Sequence, residues 1–247
     1  MELNKIDPKF NSKPNPRIGL ITLASDFRIE KDFNNIIYGK DIDLFCNRIK
    51  CYNPLTNETL KKMADDITDV TKEILPDQKL DCVAYGCTSG SIAAGYDSIF
   101  EKVNNAKPNT KVSTPITAAI KGMKKLGIKN LSIFTPYTSE INDSVADFFN
   151  KENFKINDMN YFDIASDLDI GKVDSNHLFS VLKKIDLSKS DALFVSCTAL
   201  PVLSLINDLE KELNKPVISS NQALIWDCLE LINSNYNIEG FGRLFKN

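Results

Sequence analysis

The chain has 247 residues, of which 43% are hydrophobic and 26% charged, and its formal net charge is −3. This length suits one large or two small α/β domains of a globular protein. The near balance of charges argues against a broad basic surface, so we expect no nucleic acid partner. No apolar run approaches the roughly 18 residues of a membrane span, and residues 1–16 lack the apolar core of a secretion signal. These features predict a cytoplasmic protein with a short leading arm at 1–16 and no membrane partner.

Apolar runs bounded by Ser, Thr, Gly or Pro predict buried strands, and helical periodicity predicts helices between them. In chain order the predicted elements are a strand at 18–24, a helix at 57–75, a strand within 80–86, a strand at 111–114, a helix at 116–126, a strand at 131–135, helices at 139–151 and 175–185, a strand within 190–196, a helix at 203–213, a strand at 216–219 and a helix at 221–232. Strands alternating with helices are typical of parallel sheets with helices on both faces.

The six predicted strands form three pairs that recur in the same order in each half of the chain. Equivalent points lie roughly 105 to 113 residues apart, which is too long for a solenoid repeat and fits a duplicated α/β domain. We predict an α/β protein with two pseudo-symmetric halves, at 17–115 and 116–220, and with part of 220–240 packing on the first half. The strand ends of both halves are expected to face one cleft, where open α/β sheets bind ligands.

A cysteine marks the same point in both halves. Cys87 and Cys197 each follow an apolar strand, and each is followed by threonine. The other cysteines, at 46, 51, 82 and 228, are interpreted as free thiols that only fill space. With no Cys-x-x-Cys pair and a single histidine, His177, the sequence predicts neither a metal site nor Cys-His catalysis.

Two thiols on opposite faces of a substrate allow two kinds of reaction. One thiolate can remove a proton while the other thiol returns one, or one sulfur can add to a carbon–carbon double bond, permit rotation and leave. Neither reaction needs a metal or an organic cofactor, so we expect none. Helix starts at Thr88 and Thr198 are expected to lower a thiol pKa. The hydroxyl and N–H groups of Thr88, Ser89, Thr198 and Ala199 are candidates to bind a substrate carboxylate.

Four segments carry a resemblance to a known family: 85–90 (YGCTSG), 135–137 (TPY), 196–200 (SCTAL) and 216–226 (PVISSNQALIW). They resemble the aspartate/glutamate racemase superfamily, and more closely its maleate cis–trans isomerase and arylmalonate decarboxylase branch, over about residues 17–232. Within that branch, residues 23–33 look most similar to the racemase-like protein of ectoine-utilisation operons. The resemblance implies two Rossmann-like halves, an active site between them and no cofactor.

The resemblance also implies roles for three side chains. Cys87 matches the nucleophile of the maleate isomerases, Cys197 matches the cysteine that handles the proton, and Tyr137 matches a tyrosine that binds a substrate carboxylate. Arylmalonate decarboxylases keep only the second cysteine. The presence of both cysteines here therefore favours an isomerase or a racemase.

Asp26 and Asp167 depart from the pattern of the maleate isomerases, which carry asparagine at the first position and near the second. An ionised carboxylate cannot donate a hydrogen bond to a substrate carboxylate, and it repels one. We therefore expect Asp26 to suit a substrate that carries an amine or another cation. The alternative is that Asp26 only caps the following helix.

Our first hypothesis is a cofactor-independent isomerase or racemase that uses Cys87 and Cys197 on a small carboxylate, either amino-acid-like or derived from ectoine. The alternative is a maleate cis–trans isomerase, which converts maleate to fumarate. A second alternative is a non-catalytic protein that binds a small molecule. We expect a homo-oligomer, either a dimer or a tetramer.

Overall fold

Two four-stranded parallel sheets form the frame of the molecule, which was analysed as a computed structural model describing residues 1, 3–10 and 13–246. The strands are β1 (Arg17–Leu23), β2 (Asp43–Ile49), β3 (Cys82–Gly86), β4 (Lys111–Ser113), β5 (Asn130–Thr135), β6 (Lys155–Tyr161), β7 (Ala192–Val195) and β8 (Val217–Ser219). The first sheet has the order β2-β1-β3-β4 and the second has the order β6-β5-β7-β8. Every strand pair is parallel, which confirms the predicted α/β fold.

The strand order explains why the two cysteines occupy equivalent places. In the first sheet β3 lies between β1 and β4, and Thr22 is opposite Gly86 at its carboxyl end. In the second sheet β7 lies between β5 and β8, and Val195 is opposite Ser219. Chain segments that leave the carboxyl ends of parallel strands emerge at one edge of the sheet. Each cysteine therefore follows an inner strand at the edge where parallel sheets bind ligands.

The sequence pattern missed β2 and β6, each of which is one of the two outer strands of its sheet. Most of their residues are half-buried or exposed, and their sequences, DLFCNRI and KINDMNY, mix polar and apolar side chains. An edge strand is covered on fewer sides than an inner strand, so it lacks the continuous apolar run that marks a buried strand. The pattern therefore found the inner strands and the two outer strands that are mostly buried, β4 and β8, and missed β2 and β6.

The helices connect the strands as crossovers. They are α1 (Ile29–Ile37), α2 (Asn57–Met63), α3 (Ile67–Lys72), α4 (Thr88–Ala94), α5 (Tyr96–Ala106), α6 (Pro115–Lys125), α7 (Ser139–Lys151), α8 (Asp167–Gly171), α9 (Ser175–Leu182), α10 (Ile206–Leu213) and α11 (Ser220–Leu231). The helix predicted at 57–75 is two helices joined by a 3-10 turn at Ala64–Asp66. No helix in the described residues is both long and apolar enough to cross a membrane.

Two helices join the halves of the molecule. Helix α11 follows β8 of the second sheet, yet it packs on β3 and β4 of the first sheet and on α6. At this junction Asp227 accepts hydrogen bonds from the Lys121 ammonium (2.9 Å) and the Ser113 hydroxyl (2.6 Å). The domain boundaries at 115 and 220 stay a prediction, and the leading arm predicted at 1–16 lies partly outside the described residues.

Burial of α11 leads to a prediction about stability. Ile225 on this helix is completely buried. We expect Ile225→Ala to lower the free energy of unfolding by about 2–5 kcal/mol, because it removes apolar contacts and leaves a cavity. Urea denaturation followed by circular dichroism measures the loss. Ile6→Ala, the same substitution at a side chain that is 87% exposed, is the matched control and is expected to change stability by less than about 0.5 kcal/mol.

Candidate active site

Cys87 lies directly after β3 and forms the N-terminal cap of α4. Its sulfur accepts a hydrogen bond from the backbone N–H of Gly90 at 3.2 Å, and the thiol is buried. A Cβ atom at Gly90 would lie 2.8 Å from the Cys87 sulfur and 3.0 Å from the Tyr85 hydroxyl. Glycine at this position therefore leaves the space that the thiol occupies. The Ser89 hydroxyl is 3.9 Å from the same sulfur.

Cys197 lies after β7 in a different local structure. Its φ angle is +94°, a conformation that residues other than glycine rarely adopt, and such strain is common at functional sites. The helix expected to begin at Thr198 is absent, and the first helical turn after Cys197 is the 3-10 turn Leu203–Leu205. Pro201 gives a reason, because proline inside a new helix removes a backbone donor and its ring clashes with the preceding turn. That expectation was wrong.

The Ser220 hydroxyl connects the two cysteine segments. It accepts a hydrogen bond from the Thr88 hydroxyl at 2.8 Å and another from the backbone N–H of Cys197 at 3.0 Å. A second bond runs across the same junction, from the Thr198 hydroxyl to the carbonyl oxygen of Gly86 at 3.3 Å. The turns that carry the two thiols are therefore held against each other by buried polar contacts.

Tyr137 lies near both thiols. It follows β5, its side chain is buried, and its hydroxyl accepts a hydrogen bond from the Ser196 hydroxyl at 3.3 Å. Burial raises the pKa of the Tyr137 phenol, and the charges that Cys197 and Cys87 carry as thiolates raise it further. Tyr137 thus stays a neutral phenol that is able to donate a hydrogen bond, and its role toward a substrate carboxylate stays a prediction.

Burial raises the pKa of both thiols above the ordinary value. The Gly90 N–H favours the Cys87 thiolate, but desolvation outweighs it and the nearby Asp167 carboxylate disfavours the thiolate further. Desolvation and the Asp167 charge act on Cys197 in the same direction. The expectation that helix starts lower a thiol pKa is contradicted here, because burial disfavours the charged form more strongly than a short helix favours it.

Three carboxyl groups lie in the same region. The Asp26 Oδ1 atom accepts hydrogen bonds from the backbone N–H groups of Arg28 (2.7 Å) and Ile29 (3.1 Å), so Asp26 does cap the start of α1. The Asp167 carboxyl accepts from the Ser25 hydroxyl at 2.5 Å, and burial raises its pKa to about 6. Burial likewise raises the pKa of Asp32 to about 7, although a hydrogen bond from Asn221 opposes this.

Loops of the first half cover the site by contacting α8 and the residues before it. The Arg28 guanidinium donates to the carbonyl oxygen of Gly171 at 3.0 Å, and the Leu55 N–H donates to that of Ala165 at 2.9 Å. The site side chains are buried as a result, and the sequence-predicted ones among them are Asp26, Cys87, Thr88, Ser89, Tyr137, Asp167, Cys197, Thr198 and Ala199. No three His, Cys, Asp or Glu side chains within residues 1, 3–10 and 13–246 are arranged to hold a metal ion.

Sequence reasoning did not select Ser220, Asn221 or Asp32. Ser220 and Asn221 follow β8 at the same sheet edge as Cys197, which follows β7. Two polar residues directly after a parallel strand are a signal that could have found them, because ligands bind at the carboxyl ends of such strands. Asp32 lies within α1 and carried no such signal, because its contact with Asn221 joins residues far apart in the chain.

Two parallel sheets, each with a buried cysteine after an inner strand, define a two-cysteine α/β architecture. The sequence model of the family described as arylmalonate decarboxylase matches residues 19–245. The chain belongs to this family. It is 23% identical to a protein named maleate isomerase from Geobacillus stearothermophilus, and the match covers 92% of this chain and 96% of that protein.

Solved structures match the same architecture. One is a mutant of the Nocardia farcinica maleate cis–trans isomerase with a covalently bound succinylcysteine intermediate, with a TM-score of 0.86 and 21% identity over 94% of this chain and 98% of that one. Another is an arylmalonate decarboxylase, with a TM-score of 0.73 and 22% identity over 94% of this chain and 100% of that one. These likenesses establish the fold.

Ser220→Ala tests the contact between the cysteine segments. The substitution leaves the Cys197 N–H and the Thr88 hydroxyl buried without their acceptor, so we expect it to lower the free energy of unfolding by about 1–3 kcal/mol. Chemical denaturation measures this. Ser234→Ala is the matched control, because the Ser234 hydroxyl is buried without a hydrogen-bond partner in the described part of the chain. Equal stability of the two variants would contradict a bridging role for Ser220.

Thiol alkylation tests the raised pKa values. We expect the rate of iodoacetamide reaction at Cys87 and Cys197 to rise with pH with a midpoint above that of free cysteine, roughly 8.5, because only the thiolate reacts. Peptide mapping by mass spectrometry separates the two sites, and N-acetylcysteine is the control. Slow access lowers the rate without moving the midpoint. A midpoint at or below the free value at either site would show that desolvation does not control that thiol.

Proposed function

We propose that this protein is a cofactor-independent isomerase that uses Cys87 and Cys197 on a small unsaturated dicarboxylate, with maleate cis–trans isomerisation as the leading reaction. The observation that carries the proposal is the convergence of two buried thiols after equivalent inner strands, held together by the Ser220 hydroxyl. The names of the relatives favour the same reaction, since several are maleate isomerases.

The geometry suits addition of an S–H group across a double bond. The Cys87 S–H bond breaks as its sulfur forms a bond to one olefinic carbon. The Cys197 thiol gives its proton to the neighbouring carbon, and the Cys197 sulfur takes up the proton that Cys87 releases. The resulting single bond rotates, the same proton leaves, and the carbon–sulfur bond breaks to restore the double bond in its trans form. The reverse transfers restore both thiols. Nothing is consumed, because one sulfur and one proton are added and then removed. The covalent succinylcysteine of the Nocardia farcinica relative is the kind of adduct that this route forms.

The surroundings of the thiols support this route. Both are protonated in the buried site, so the site holds the hydrogen that the adduct requires. Tyr137 and the hydroxyls of Thr88 and Ser89 are the proposed donors to a substrate carboxylate. A hydrogen-bonded carboxylate withdraws electrons from the double bond and stabilises the charge that develops when sulfur adds.

A second candidate is a racemase or isomerase of an amino-acid-like or ectoine-derived carboxylate, as in the racemase-like protein of ectoine-utilisation operons. The observation that favours it is the presence of Asp26, Asp32 and Asp167 in one buried region, which disfavours a dianion. A homo-oligomeric state, either a dimer or a tetramer, and a cytoplasmic location also stay predictions from the sequence.

Proton NMR in deuterium oxide separates the two reactions. A cis–trans isomerase converts the olefinic signal of maleate into that of fumarate. A racemase exchanges the α-hydrogen of an amino-acid-like substrate for deuterium, because the proton is removed from one face and returned from the other. A protein that only binds small molecules produces neither change.

Replacement of each cysteine tests the mechanism. We expect Cys87→Ala and Cys197→Ala each to lower kcat at least about 100-fold, because a nucleophile or a proton donor is lost while the fold is retained. Cys82→Ala is the matched control and is expected to keep most activity, since Cys82 lies inside β3. Circular dichroism checks folding. Near-normal kcat in either of the first two variants would exclude the two-thiol mechanism.

A further inference from the structure

One oxygen of Asp26 is used by the fold and the other is not. Oδ1 accepts both backbone hydrogen bonds that begin α1, whereas Oδ2 is buried and has no hydrogen-bond partner in the described residues. The neighbouring Thr198 hydroxyl has a single proton, and it donates this proton to the carbonyl oxygen of Gly86. Asp26 therefore offers a buried acceptor that the protein itself does not satisfy.

Asn221 offers a second acceptor in the same corner. Its Nδ2 atom donates to Asp32 Oδ2 at 2.7 Å and to the carbonyl oxygen of Thr198 at 2.8 Å. Both partners are acceptors, so these bonds fix the orientation of the amide. The Oδ1 atom of Asn221 is then an acceptor, and it is buried without a partner within residues 13–246. The unsatisfied atoms of this corner are therefore acceptors, on a carboxylate and on an amide.

The nearby arginines do not form ion pairs with the site carboxyl groups. The Arg28 guanidinium donates to the carbonyl oxygen of Gly171. Arg48 donates to backbone carbonyl oxygens at the end of β1 and pairs with Glu30 at the surface. In the part of the chain that the structure describes, no lysine or arginine forms an ion pair with any of the three site carboxyls, those of Asp26, Asp32 and Asp167. Burial without a cation disfavours the ionised form of these carboxyls and raises their pKa values, and a cationic ligand favours the ionised form again.

We propose that the substrate carries an ammonium group that binds Asp26 Oδ2, the Asp32 carboxylate and Asn221 Oδ1. An ammonium group has three donors and a positive charge, which match one carboxylate, a second carboxylate and one amide oxygen. Burial raises the pKa of Asp26 although the two N–H groups at Oδ1 favour its ionised form, and the positive charge of a bound ammonium group lowers that pKa again. The proposal rests on the proposed two-cysteine chemistry next to Cys87 and Cys197, and it favours the second candidate, an amino-acid-like carboxylate, over maleate, which has no ammonium group.

Aspartate and succinate are a matched pair of probes, because they differ by the ammonium group alone. We expect the wild-type protein to bind one enantiomer of aspartate at least about tenfold more tightly than succinate in isothermal titration calorimetry. Asp26→Asn and Asp32→Asn are each expected to weaken aspartate binding by about ten- to a hundredfold, with no loss of succinate binding. Asp26→Asn retains the Oδ1 acceptor and therefore the cap of α1.

Glu30→Gln is the control, since it removes one negative charge from the same helix at a surface ion pair outside the site. It is expected to leave the preference for aspartate unchanged. The proposal is overturned if aspartate binds no more tightly than succinate, including the case in which neither binds, or if the preference survives in both aspartate variants. Binding requires no turnover, so this outcome is separate from the result of the cysteine replacements, which tests the isomerase chemistry.

Discussion

The hydrogen bonds accepted by the Ser220 hydroxyl are the constraint on which the site depends. Ser220 begins α11, and this helix leaves the second sheet and packs on the first. Its hydroxyl therefore reaches Thr88 from one half and Cys197 from the other. Because both donors are buried, their loss of water is compensated only when the two segments meet at this oxygen. The same contact therefore packs the two halves together and fixes the positions of the thiols.

Desolvation sets the protonation of the site more strongly than local helix geometry does. Cys87 caps α4, an arrangement that favours a thiolate, yet its pKa is raised because the sulfur is removed from water and faces Asp167. The carboxyl groups respond in the same direction and also shift upward. The two thiols of such a site hold their protons until a substrate enters. This suits a reaction that adds and removes a hydrogen at carbon without an external acid or base.

The family bears on the type of reaction, whereas the carboxyl groups near the thiols bear on the choice of substrate. Membership in the arylmalonate decarboxylase family, with maleate isomerases among the relatives, favours a shared chemistry at carbon. The carboxyl groups bear on the choice of substrate because an ionised carboxylate in a buried site repels a dianion. Reaction type and substrate choice are separable in this fold, since the cysteines follow the strands while Asp26 and Asp32 lie on or beside α1.

The sequence by itself determined the inner strands and the outer strands β4 and β8, the repeat that relates the two halves and the equivalence of Cys87 and Cys197. These features depend on local apolar runs and on the residue types directly after each run, and both are visible in a single chain. It also allowed a helix-capping role for Asp26, because that contact joins neighbouring residues.

Only the tertiary structure decided which side chains join the cysteines. Ser220, Asn221 and Asp32 reach the site through contacts between distant segments, and a hydroxyl or amide at a helix start looks the same in sequence whether or not it has such a partner. The turn at Cys197 and the raised thiol pKa values were misjudged for a related reason. Backbone strain and loss of water are imposed by the surrounding packing, whereas a sequence pattern reports only local preference.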